Sequence, residues 1–192
     1  MERSLIRREV LPFLLMFGAL ILATVVTDAL LHGFDLVWVG RWLGIPGTLL
    51  ILLSFFYSMR KRKLVSFGKP RTLLVLHEAL ALSGALMILV HAGIHIYAIL
   101  PWLALSAMLV NVISGMTGQY LLDRSRRFLV QKKEHYLTLG LAEEEADRRL
   151  FWDATTFDLM KKWRAVHLPI TLAFGVLGIS HILSILMFWQ WK

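Results

Sequence analysis

Five of the seven histidines in this 192-residue chain lie in two long apolar stretches: His77, His91 and His95 in residues 72–97, and His167 and His181 in residues 166–189. An imidazole can ligate a metal through one ring nitrogen and pass a proton through either. The spacing favours ligation. His77 and His91 are 14 residues apart, as are His167 and His181, and both pairs share the same 90-residue offset. In an α-helix 14 residues fall only ~40° short of four turns, so each pair lies on one helix face, ~21 Å apart along the axis. That separation approaches the ~30 Å thickness of a bilayer's hydrocarbon core. Ionisable residues at such depth are costly and usually functional, facing a bundle interior and a partner. Two matched pairs on two helices imply two stacked sites, each held by one histidine from each helix.

Two protein ligands per site suit haem, whose porphyrin supplies four nitrogens and leaves two axial positions. They do not suit zinc, which normally takes three or four protein ligands. Gly84 lies midway between His77 and His91, and Gly175 and Gly178 lie between His167 and His181. Glycines there would admit a flat macrocycle, and they would equally serve ordinary helix packing. His95, four residues after His91, opens an alternative in which His91, His95 and His181 hold copper or zinc; otherwise it is an outer polar group near a propionate or quinone head. Glu78 reads as an interfacial carboxylate or as a proton acceptor near the inner site. Arg71 and Arg164 precede the inner ligands at the level where propionates would project. Asp28, Asn111 and Gln119 are further candidate buried polar groups, whereas His32 and His135 fall in or near loops and are expected to be solvated.

The elements that must position these residues are helices. With 57% hydrophobic residues and a mean hydropathy of +0.64, the chain reads as all-α, a polytopic membrane helical bundle. The apolar runs are continuous and about twice the ~10-residue strands of a barrel. About five transmembrane helices are expected, at residues 10–31, 43–58, 72–97, 102–122 and 166–189, forming a single domain over 1–192 with a four-helix haem-binding core. The first span could alternatively be a signal peptide, but its run is long and lacks a clear cleavage site. Pro101 marks a tight turn between spans three and four. Residues 123–164 form a helical segment outside the membrane, with one helix ending near Gly140 and a Thr155/Asp158 capping box starting the helix into span five.

The chain contains no cysteine, which excludes disulfides and cysteine-held iron–sulfur clusters. No glycine-rich nucleotide fingerprint appears. The net charge of +8 reflects membrane topology rather than nucleic-acid binding. Nineteen of the 21 Lys/Arg fall in the leader, in Arg60 to Arg71 and in Arg124 to Arg164; only Arg41 and Lys192 lie elsewhere. By the positive-inside rule the N-terminus is cytoplasmic and the C-terminus outside, in a cell (inner) membrane. Spans three and five then run parallel, so His77 matches His167 in depth and His91 matches His181.

The H-x13-H arrangement on two parallel spans is similar to the di-haem b-type cytochromes of quinol-oxidising cytochrome bc complexes. Its placement on the third and fifth spans resembles the ferric reductase-like transmembrane domain family, including the small haem-binding partners of periplasmic reductases. The resemblance covers about residues 71–189. It implies two haem b groups ligated by His77, His91, His167 and His181, with electrons carried between a quinone/quinol pool and an iron–sulfur or flavin redox subunit. The 123–164 segment is the expected docking surface for that subunit, at the cytoplasmic face. Those families use six or eight spans, and this chain has neither a flavin nor a nicotinamide domain, so a partner must supply or accept the electrons. Two alternatives remain open: a ferric- or oxygen-reductase-like haem domain, and a transporter using the histidines as metal-ion stations.

Overall fold

In the computed structural model the described residues are 5–93, 99–117 and 121–188, and they are helical almost throughout, with no strand among them. A π-helical turn (Ile6–Val10) leads into α1 (Leu11–Gly33), followed by a short α2 (Val37–Trp42), α3 (Gly44–Lys61), α4 (Pro70–Ala92), α5 (Ile99–Met116), α6 (Leu122–Thr138), α7 (Glu143–Ala165) and α8 (His167–Phe188). Among the described residues, five helical stretches are long and apolar enough to cross a bilayer: Ile6–Gly33, Val37–Lys61, Pro70–Ala92, Ile99–Met116 and the last, Glu143–Phe188, whose apolar part is α8. Their outward side chains, such as Leu22, Leu49, Val75, Leu172 and Val176, are exposed apolar groups. In a membrane protein lipid covers such faces. The fold is therefore an all-α helical membrane fold.

The helices form two compact units, one built from the chain up to Gly18 with Leu109–Ala173, the other from Ala19–Met108 with the residues from Phe174 on. Helices α1, α5 and α8 each contribute to both.

In the second unit, α3 packs against α4. Pro70 at the first turn suits a helix start, because its missing N–H is unpaired there in any case. The two helices approach closely where Gly47 faces Gly84: a Cβ on Gly84 would lie 2.8 Å from the Gly47 carbonyl oxygen and 2.8 Å from Ile51 Cγ1. The run Arg60–Lys63 places positive charge at the C-terminal end of α3, favourable to its dipole, before the chain turns through Lys63 and Gly68, both at positive φ. Helix α2 adds a turn ahead of α3, with the Leu43 N–H bonded to the Val39 and Gly40 carbonyls. This is how an apolar run too short at 43–58 gains membrane-spanning length.

In the first unit, α6 and α7 form an antiparallel hairpin. Gly140, at φ +81°, closes α6, and the Leu141 N–H reaches back to the Tyr136 carbonyl at 3.2 Å. Tyr136, Ala146 and Leu150 make its core, with Leu129 and Leu141 packed around them. Glu143, Glu144 and Glu145 occupy the first turn of α7, where the helix dipole favours them, and Lys133 pairs with Glu143 and Asp147. The leader is bound to this hairpin. The Leu5 N–H donates to Asp153 Oδ1 at 3.0 Å, and Lys132 Nζ donates to Asp153 Oδ2 at 3.0 Å.

Two sequence expectations are corrected. Pro101 is not a turn but lies in the first turn of α5, which begins at Ile99; there its lack of an N–H is harmless. The Thr155/Asp158 capping box does not start a helix, because α7 runs unbroken from Glu143 to Ala165 and Asp158 pairs with Lys161 at 3.0 Å instead. Helix α4 ends at Ala92, with Gly93 at φ 49° outside the helical region, and the remainder of the expected span three, to residue 97, lies outside the described residues.

Candidate functional site

His91 lies in the last turn of α4. Its Nδ1 is 2.7 Å from the Arg41 carbonyl oxygen in α2. A carbonyl only accepts, so Nδ1 carries the hydrogen and the lone pair is on Nε2. The ring lies against Gly44, where an added Cβ would be 2.9 Å from three of its ring atoms. The bare glycine backbone thus makes the seat for this imidazole.

His77, about four turns earlier on α4, repeats the arrangement. Its Nδ1 donates to the Ser54 carbonyl oxygen in α3 at 2.9 Å, again leaving the lone pair on Nε2. The Tyr57 ring sits beside it, with centroids 5.5 Å apart and planes tilted by 33°. A ring nitrogen anchored to a backbone carbonyl is the usual outer support of a metal-ligating histidine, because it fixes both the tautomer and the ring plane.

His167, the first residue of α8, is held in the first unit by α5. Its Nδ1 lies 2.8 Å from Ser114 Oγ, whose own hydrogen points to the Asn111 carbonyl at 2.9 Å. Ser114 therefore accepts from the His167 Nδ1–H. Gly115 provides close approach, with an added Cβ 3.1 Å from His167 Cε1. One turn on, the Thr171 hydroxyl is 2.8 Å from Asn111 Oδ1. Asn111, a candidate buried polar group in the sequence, thus braces the α5–α8 contact.

His181 is on α8, half-buried in the second unit. His91 belongs to the same unit. His77 belongs to the second unit and His167 to the first, so the pairing of these two rests on the equal sequence intervals.

Other sequence candidates are reassigned. Gly84 serves helix packing against Gly47, whereas Gly175 and Gly178 have no neighbouring group within 4 Å of where a Cβ would stand and face open space. Asp28 pairs with His32 one turn later, at 3.7 Å. His32 and His135 are exposed, as expected, though each lies in the last turn of a helix rather than in a loop. Arg71 is exposed and Glu78 half-buried beside His77. His95, Gln119 and the Arg164 side chain lie outside the described residues. Among the described residues no three histidine or carboxylate side chains converge on a metal-sized site.

The sequence missed the groups that orient the candidate histidines: the Arg41 and Ser54 carbonyls, Ser114, Gly44 and Gly115. A backbone acceptor carries no sequence signal at all. Gly44 and the Ser114–Gly115 pair are visible in the sequence, but nothing in their spacing connects them to a histidine far along the chain.

The donor set fits a bis-histidine iron porphyrin. His77 and His91 on α4 each have Nδ1 bonded to a backbone carbonyl, which leaves Nε2 for a metal, and Gly175 and Gly178 leave bare backbone on α8 between its two histidines. No family model, curated protein or solved structure matches the chain.

Proposed function

We propose that this chain is a di-haem cytochrome b subunit that carries electrons across a cell membrane between a quinone/quinol pool and a partner redox subunit. The observation that carries this reading is the pair of Nδ1–H bonds that prepare His77 and His91 to ligate through Nε2, on α4 positions whose 14-residue interval α8 repeats at His167 and His181. By the equal sequence intervals, His91 and His181 would be the ligands of one haem, and His77 and His167 are the candidate ligands of the other. Haem b, when bound, supplies a one-electron iron couple. The residues of the chain do the rest. Arg41 and Ser54 hold the α4 imidazoles in plane, Ser114 holds His167, and the apolar helices keep water from the ligands. Held by two histidines each, the haems would favour electron transfer over oxygen binding.

The partner is an iron–sulfur or flavin subunit at the cytoplasmic face, with the α6–α7 hairpin as its dock. In support, Phe151 and Trp152 stand 57% and 77% exposed on α7 beside charged residues of both signs. Aromatic anchors within a charged rim are typical of protein interfaces.

The test is a dithionite-reduced minus oxidised spectrum with a pyridine haemochrome count per chain. Two haems b are expected, falling to about one in His91→Ala or His181→Ala and to about one in His77→Ala or His167→Ala. A colourless protein from a haem-replete host would overturn the reading.

A further inference from the structure

The strongest uncommitted feature of the molecule is a cavity of about 360 Å³ in the first unit, lined by Arg8, Glu9, Arg124, Arg127, Phe128 and Gln131. We propose that it is a seat for a phosphate-bearing anion at the membrane surface. Charge supports this. Three guanidinium groups face one carboxylate, Glu9, which sits 3.6 Å from Arg8 Nε. Arg124 and Arg127 form no ion pair or hydrogen bond among the described residues, so two guanidinium forks stand ready at the cavity. Planar forks match phosphate oxygens in pairs, which a lysine ammonium does not.

The seat is also pre-built. Arg8 lies over the buried Phe128 ring, 5.3 Å from its centroid, and Lys132 lies over the same ring at 5.5 Å. The leader that carries Arg8 is fixed by the Leu5–Asp153 hydrogen bond. Position supplies the last element. Arg8 comes three residues before α1, and Arg124 and Arg127 lie in the first two turns after the stretch that ends span four. Both are places where a crossing helix leaves hydrocarbon, which is the level of lipid phosphates.

The source of the phosphate is either an anionic lipid head group or free phosphate, and one experiment separates them. The full chain in neutral detergent is titrated with short-chain phosphatidylglycerol, with short-chain phosphatidylcholine, and with inorganic phosphate. Phosphatidylglycerol is expected to bind about 10-fold or more weakly to Arg124→Gln/Arg127→Gln than to the wild type, as loss of charged hydrogen bonds requires. Lys61→Gln/Arg62→Gln removes the same charge from the exposed C-terminal end of α3 and is expected to retain wild-type affinity. Glu9→Gln removes the competing carboxylate and is expected to tighten binding about 3-fold, a gain that misfolding cannot produce. Displacement of the lipid by millimolar phosphate assigns the seat to soluble phosphate; lipid binding that phosphate does not displace assigns it to the head group. Equal losses in the two double variants, phosphatidylcholine bound as tightly as phosphatidylglycerol, or a Glu9→Gln protein that is unchanged or weaker overturns the proposal.

Discussion

The His91 Nδ1–H is bonded to the Arg41 carbonyl at 2.7 Å, and the ring it steadies rests on Gly44. The carbonyl sets the tautomer and the glycine sets the depth of the ring. Gly44→Ala places a methyl 2.9 Å from three ring atoms and must displace the imidazole. The expected outcome is a haem count that falls from two towards one, close to the effect of His91→Ala. Gly18→Ala, with open space at its Cβ, is expected to leave the count unchanged. Haemochrome assays on the two variants check this.

Ser114 accepts the His167 Nδ1–H, so Ser114→Ala keeps the proposed inner ligand but removes its support. Loss of such an outer-shell partner typically costs ~10-fold or more in metal-site affinity or activity. One of the two haems is expected to be lost more readily to apomyoglobin and to titrate at a shifted potential, while the other is unchanged. A redox titration resolving two components distinguishes this from a general loss of fold.

The Gly47–Gly84 contact leaves no room for a methyl, because the obstruction is backbone. Gly84→Ala is expected to cost about 1–3 kcal/mol, the usual range for overpacking. Gly175→Ala and Gly178→Ala, facing open space, are expected to change stability by no more than about 0.5 kcal/mol. Thermal unfolding in a single detergent compares the three.

Asp153 accepts from both Leu5 and Lys132 and is 7% exposed. Asp153→Ala strips a largely buried ammonium of its carboxylate, with an expected loss of about 3 kcal/mol. The clearest readout is hydrogen exchange at the Leu5 amide, which is expected to lose its protection, whereas α3 and α4 amides keep theirs.

Because the chain contains no cysteine, single engineered cysteines report topology against a silent background. Ser66→Cys, exposed between α3 and α4, is expected to react with a membrane-impermeant maleimide only in inverted vesicles. Phe34→Cys, between α1 and α2, is expected to react only in intact spheroplasts. The reverse pattern would invert the proposed orientation.

Helix content and the five apolar crossings were legible in the sequence because continuous apolar runs near 20 residues have few other physical uses. Their ends were less legible. Gly93 ends α4 in mid-run, where hydropathy alone would carry the helix to Tyr97. At Thr155 a capping pattern is overridden by the continuing helix. The candidate ligand histidines announced themselves through their equal intervals. Their supports did not, because a carbonyl like those of Arg41 and Ser54 exists on every residue and only the path of the chain selects them. Gly84 shows the converse. Its place midway between two histidines invited a cofactor role, but its neighbours on α3 show that it serves the close contact of two helices.

The Leu5–Asp153 hydrogen bond also has a consequence in time. Its partners are separated by 148 residues, and a ribosome adds ~5–20 residues per second. The leader therefore emerges roughly ten seconds before the helix that will hold it, and α1 must enter the membrane with that leader unanchored. Closure of the first unit is then among the last events of the chain's biosynthesis, completed only when α7 has been made.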